Sequence, residues 1–249
     1  MNKLLKKTII ITLLLPVFAC SGSKDEKKRS AELSYIEAKE ILDEKGYLEA
    51  AEAFEKIDSE FPFSKWSTKA QTMAVYARYK DKDYEKLIAV SDDFVRLNPS
   101  HEYVPYMMYM KGLSYYNQIP NIKRAQDLTK KSSFTFRELI ARFSTSDYAK
   151  DAKKRLPFID EHLAGAKMSS GRYLIKVENY VGAIFQFNSV TSRHRQTNQV
   201  PEAYYRLAEI YIKIGLKDEA LQAVNALKSK FPDNSWTQEV AKLDSKLKQ

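Results

Sequence analysis

Residues 46–62 of this 249-residue chain line up without gaps on residues 83–99, a shift of 37, and the same shift carries Ala183 onto Ala220 and Arg195 onto Pro232. Repetition at such a period constrains the fold more than any single motif does. Each copy is one supersecondary unit that cannot bury its apolar face alone and must stack on its neighbours. Five units end at turn signals: Phe61-Pro62, Asn98-Pro99, Phe143-Ser144, His194-Arg195 and Phe231-Pro232. Proline suits three of them because it cannot continue a helix. Counting back from the turns, one position reads Ala50, Leu87, Ser132, Ala183 and Ala220; four residues on stand Phe54, Ser91, Phe136, Phe187 and Val224; three further on stand Ile57, Phe94, Leu139, Val190 and Leu227. A row at i, i+4 and i+7 is one stripe of a helix. In the preceding helix of each unit a mostly small residue recurs at Ala38, Val75, Gly112, Gly171 and Ala208, which lets two helices approach closely where they cross. Only seven glycines and eight prolines occur, so the units are expected to be helices joined by short turns.

The pattern resembles the tetratricopeptide repeat, a helix pair of about 34 residues with Trp/Tyr, Leu-Gly, Tyr, Ala, Phe and Pro at set places. The fifth unit matches best, with Tyr204, Leu207-Ala208, Tyr211, Ala220 and Pro232. The resemblance implies an all-α, right-handed helical-repeat solenoid of about five tetratricopeptide-like helix pairs. Units three and four depart from it, with Ser144 and Arg195 in place of the terminal proline. Unit three is also longer, and its surplus falls in residues 117–133, a polar stretch around Pro120 that is expected to form a surface loop.

The N-terminus has a different character. Met-Asn-Lys-Leu-Leu-Lys-Lys precedes an apolar run from Thr8, and Val17-Phe18-Ala19-Cys20 follows. This is the layout of a secretory signal over residues 1–19, too short to cross a hydrocarbon core that takes about 20 residues. The last four residues resemble a bacterial lipobox, although Phe18 is bulkier than that pattern prefers. The resemblance implies lipidation of Cys20 with N-acyl and diacylglyceryl chains, and Ser21 after it implies the outer membrane, lipid-anchored at its periplasmic face. Residues 20–30 contain no large apolar side chain and read as a flexible tether. Removing the leader takes away Lys3, Lys6 and Lys7 and no acid, so the formal charge of +9 becomes +6. Cys20 is the single cysteine, so no disulfide can form within the chain.

Catalytic and metal-binding patterns are not found. His101, His162 and His194 are far apart, and none has a second ligand at i+3 or i+4. Asp92-Asp93 and Asp160-Glu161 read as solvated acids at helix surfaces. With no nucleophile elbow, phosphate loop or Cys-x-x-Cys, the chain is expected not to be an enzyme and to carry neither metal nor other cofactor. Tyr103, Tyr106, Tyr109, Tyr115 and Tyr116 are expected to pack between helices, with some also facing a concave groove suited to extended peptide. Lys123-Arg124, Lys130-Lys131 and Lys153-Lys154-Arg155 read as solvated helix faces, not as a nucleic-acid site.

Several stretches together resemble the BamD family of outer-membrane barrel-assembly lipoproteins. They are Phe61-Pro62-Phe63-Ser64 with Trp66-Ser67 and Ala70-Gln71, Tyr76-Ala77 and Tyr79-Lys80, Phe94-Val95-Arg96-Leu97-Asn98-Pro99 with His101, and Tyr109-Met110-Lys111-Gly112-Leu113. Arg142-Phe143, Ser146, Tyr148-Ala149, Asp151-Ala152 and Lys154-Arg155-Leu156 extend the likeness. It implies a client-facing groove in repeats one to three, residues 31–144, receiving unfolded outer-membrane proteins. Phe63, Trp66, Tyr76, Tyr79 and His101 are the groove candidates. It implies docking of the barrel subunit BamA, beside accessory Bam lipoproteins, on repeats four and five, residues 145–249, with Gln186 and Arg193 as candidates. Where that family shows an Asn-Arg pair, this chain has Phe185-Gln186, which replaces a charge-assisted contact with a neutral one. The competing expectation is a peptidoglycan-associated or cell-division scaffold lipoprotein built on the same repeats.

Overall fold

A computed structural model describes residues 30–243; the leader, Cys20 and most of the tether lie outside the described residues, as do residues 244–249. The described chain forms five consecutive helix pairs: α1 (Ala31–Asp43) with α2 (Tyr47–Glu60), α3 (Lys65–Asp81) with α4 (Tyr84–Leu97), α5 (Val104–Asn117) with α6 (Asp127–Arg142), α7 (Asp147–Lys176) with α8 (Tyr180–Arg193), and α9 (Val200–Lys213) with α10 (Lys217–Lys230). A short α11 (Ser235–Glu239) covers the last pair. Each second helix sits between its own first helix and the next one, while α1, α3, α5 and α7 lie side by side in an inner row. This is the architecture of a helical-repeat solenoid.

The periodic stripe is the core. All fifteen of its residues are buried, from Ala50, Phe54 and Ile57 in α2 to Ala220, Val224 and Leu227 in α10. Opposite them lie the recurring small residues, and the two sizes trade within a pair. In the repeat register Phe54 corresponds to Ala38, Ser91 to Val75, and Val224 to Ala208. Phe136 and Phe187 lie over glycines. A Cβ on Gly171 would come within 2.6 Å of the Phe187 ring, and one on Gly112 would overlap the Phe136 ring. The same close approach lets the Ser132 hydroxyl donate to the Gly112 carbonyl at 3.1 Å.

The turns between units repeat atom for atom whether or not proline is present. Phe61, Asn98, Phe143, His194 and Phe231 each end a helix by donating their N–H to the carbonyl four residues back. Their own carbonyls then accept the N–H of Ser64, His101, Ser146, Thr197 and Asn234 at 3.0–3.2 Å. Ser64, Ser146 and Asn234 use their side chains to cap the next helix. Within units one, two, four and five the helix ends on a left-handed residue, Lys45, Lys82, Glu178 or Gly215, and the following N–H reaches back five residues to close a Schellman turn.

The surplus of unit three is a loop, as expected, but a shorter one: it spans residues 118–126 instead of 117–133, because 127–133 continue as α6. It packs onto α7, with His162 Nε2 2.6 Å from the Pro120 carbonyl and Gln126 donating to the Asn121 and Arg124 carbonyls. The repeat period did not foretell α7, which runs 30 residues through Pro157 where other first helices span 13 to 17. Its first half joins Ala149, Ala152 and Ile159 to the core of units two and three, and its second half joins Ala164 and Met168 to the core of units four and five. An interior proline costs about 3 kcal/mol, and packing at both ends holds the helix continuous.

Candidate functional site

The inner row of helices frames a cleft of about 540 Å³ over units one to three and the start of α7. On α3 its wall is Lys69, Thr72, Met73 and Tyr76, spaced i, i+3, i+4 and i+7 on the face beside buried Ala70, Ala74 and Ala77. Tyr35 of α1, Tyr106 of α5 and Tyr148 of α7 close it, with Tyr103 at the α5 N-cap. The Tyr106 hydroxyl donates to the Thr72 carbonyl at 3.4 Å, and its ring meets Tyr148 at 5.5 Å. Burial raises the phenol pKa of Tyr106 strongly and that of Tyr35 more mildly, so both stay neutral donors at physiological pH. The cleft is thus an aromatic surface with hydroxyl tips and one cation, suited to holding an extended chain.

Behind the cleft α5 is locked to α7. The Tyr109 hydroxyl donates to Asp151 at 2.5 Å, Arg155 donates to the same carboxylate at 2.8 Å, and a second Arg155 nitrogen donates to Tyr109 at 3.3 Å. Burial, reinforced by Asp151, pushes the Tyr109 phenol up to about 12, and the Tyr109 hydrogen bond holds Asp151 below the usual carboxylate range.

Of the five groove candidates, Tyr76 alone lines this cleft. Trp66 stands beside it, its ring tilted against Tyr35 at 4.9 Å and under the Lys69 ammonium at 5.1 Å. Phe63 is fully exposed in the turn before α3. Tyr79 packs on Tyr84 at 6.2 Å and accepts from Asn117 at 3.0 Å. His101 is a turn residue: its Nδ1 accepts the Tyr103 N–H at 3.1 Å and its ring meets Phe94 at 5.4 Å. Tyr35, Lys69, Thr72, Met73 and Tyr148 were missed. The repeat register held a signal for them, since Tyr35 and Thr72 stand three residues before the small residues Ala38 and Val75, and Lys69 and Tyr106 stand six before Val75 and Gly112.

The two docking candidates share a second cavity, of about 570 Å³, between α6, α7 and α8. Gln186 and Arg193 line it from α8, and Leu163 and Lys167 from α7. Phe185 beside them is 66% exposed. At its end His194 is held 2.9 Å from Asp160. Among the described residues no cluster of metal-ligating side chains occurs, and no helix is long and apolar enough to cross a membrane.

The sequence matches the YfiO family, described as outer membrane lipoprotein, over residues 27–227. Relatives named outer membrane protein assembly factor BamD include one from Caulobacter vibrioides, 32% identical with 88% of this chain and 74% of that one covered. The counterpart from Rickettsia prowazekii is 32% identical over 95% and 94%. That from Neisseria meningitidis serogroup A is 30% identical over 92% and 91%.

Proposed function

The chain belongs to the YfiO family of outer membrane lipoproteins, with BamD assembly factors among its relatives, and on that premise we propose that it is a non-catalytic, lipid-anchored adaptor of the outer-membrane β-barrel assembly machine. Its N-terminal repeats receive unfolded outer-membrane proteins, and its C-terminal repeats dock BamA. Lipid on Cys20 holds it at the periplasmic face of the outer membrane, and residues 21–30 give it reach. The observation that carries the reading is the tyrosine-lined cleft built across α1, α3, α5 and α7. It is open, aromatic and hydroxyl-tipped, which fits an extended strand bound by its apolar side chains and free backbone groups. Docking at Gln186 and Arg193 is supported by a separate cavity that uses no residue of the cleft.

The test is photocrosslinking in the intact envelope from Tyr76 and from Gln186. Client protein is expected at the first and BamA at the second. Loss of both, with the protein sedimenting instead with purified cell wall, would favour the peptidoglycan scaffold and sink the adaptor. Replacing Cys20 by serine is expected to release folded protein from the membrane fraction.

A further inference from the structure

Alongside the cavity at Gln186 runs another of about 690 Å³, walled by Ile122, Lys123 and Arg124 of the 118–126 loop and by Arg172, Tyr173 and Lys176 of α7. The two share Ala166 and Ser170 as floor, and side chains so small leave only a low ridge between them. They form one groove along α7 from Leu163 to Lys176, about 20 Å at ~1.5 Å per residue. That is the reach of about six residues of extended chain. Among the described residues no acidic side chain lines it. Arg172 is engaged by Glu202 at 3.0 Å and Lys130 by Asp127 at 3.4 Å. Among the described residues Lys123, Arg124, Lys167, Lys176 and Arg193 have no ion-pair partner.

This concentration of cations is not a property of the whole surface, where lysines and arginines pair repeatedly with acids, as at Arg78–Glu55, Lys111–Asp92 and Arg142–Glu138. Like charges lining one recess repel each other and focus an attractive field for anions. Exposed aromatics flank the recess. Phe134, 69% exposed, continues the Gln126–Lys130 stripe of α6, and Phe185 continues the Ser189–Arg193 stripe of α8.

We propose that this groove binds an acidic, extended segment of a partner protein, its carboxylates meeting Lys123, Arg124, Lys167, Lys176 and Arg193. A peptide is favoured over an anionic lipid surface because Lys167 lies half-buried on the α7 side of a recess between a loop and two helices. A flat bilayer meets projecting side chains, whereas a single chain can follow a groove. The proposal rests on the reading that the C-terminal half docks a partner, and it adds the chemistry of what is held.

Fluorescence anisotropy with detergent-solubilised full-length protein tests it, using a labelled ten-residue peptide that alternates Glu and Ser against the same peptide with Gln for Glu. The Glu peptide is expected to bind about tenfold tighter, and the Lys123→Gln, Arg124→Gln, Lys167→Gln, Lys176→Gln variant to lose about that factor. A variant with four exposed lysines neutralised elsewhere, at Lys39, Lys56, Lys217 and Lys230, is expected to bind as the parent does. Equal affinity for the two peptides, equal loss in both variants, or displacement by dihexanoyl phosphatidylglycerol at lower concentration than by unlabelled Glu peptide each overturns the proposal. The parent protein with two peptides is decisive even if a variant misfolds. Because BamA is absent from this assay, its failure is distinct from failure of the Gln186 cross-link.

Discussion

Units one, two and five keep the terminal proline, a short turn between helices and a side chain larger than glycine at the crossing point. Units three and four both lack the proline, with Ser144 and Arg195, and both have glycine, Gly112 and Gly171, beneath a phenylalanine ring; unit three adds the 118–126 loop and unit four the 30-residue α7. The stripe is nonetheless equally buried throughout. What the comparison teaches is that the repeat is defined by volume at the helix crossing and by the hydrogen bonds of the turn, while proline and unit length are free to vary. That freedom is where the basic groove was built, between the 118–126 loop and the C-terminal half of α7.

The largest effect is expected from emptying a crossing. Phe187→Ala removes a fully buried ring from above Gly171, where no side chain can fill the space, and is expected to destabilise by about 3–5 kcal/mol in denaturant unfolding. Val224→Ala in unit five, where Ala208 partly fills the crossing, should lose less. Equal losses would break the volume rule. Next comes overfilling: Gly171→Ala gains about 1 kcal/mol of helix propensity but forces a methyl into the Phe187 ring, at about 1–3 kcal/mol. A net loss is expected, and Phe187→Leu should cost less in that background than in the parent protein. A double-mutant cycle reads the coupling.

The fold was legible because both signals that define it are local. Burial of one stripe leaves a 3.6-residue period, and the turn leaves Phe-Pro or Asn-Pro. The long α7 was not legible, because Phe143-Ser144 marks where it starts and nothing before Lys176 marks an end; Pro157, which ordinarily stops a helix, lies inside it. The cleft was half legible. Aromatic content pointed to tyrosines, yet family likeness drew attention to Phe63, Tyr79 and His101, residues of the turns and of inter-helix packing. Register relative to the small crossing residue points at Tyr35 and Tyr106 instead, since it reports direction and not identity.

A smaller effect separates the two kinds of turn. Since Pro62, Pro99 and Pro232 occupy turns whose backbone matches those at Ser144 and Arg195, Ser144→Pro and Arg195→Pro should be accepted without strain. Each is expected to add about 0.4–1 kcal/mol by restricting the unfolded chain. Thermal denaturation of the single and double variants checks this, and a loss of stability at either site would show that the degenerate turns are not equivalent to the regular ones.

The smallest effect concerns the lock that ties unit three to the long helix. Asp151 accepts from both Tyr109 and Arg155, and its folded pKa lies below its unfolded value of about 3.9. Its contribution is therefore complete above the unfolded pKa and is lost as pH falls through the folded one. Tyr109 behaves in the opposite sense. With its phenol raised from 10.0 to about 12, its contribution is complete below the unfolded value and disappears as pH rises through the folded one. Asp151→Asn should thus lower Tm at neutral pH by an amount that shrinks as the solution is acidified, and Tyr109→Phe by an amount that shrinks as it is made strongly alkaline. Unit five has no such hydroxyl–carboxylate lock between successive first helices; there Arg172–Glu202 links α7 to α9 with a guanidinium that does not titrate in this range. Arg172→Met should accordingly shift Tm without altering the alkaline limb, and a changed alkaline slope in that variant would overturn the assignment of that limb to Tyr109.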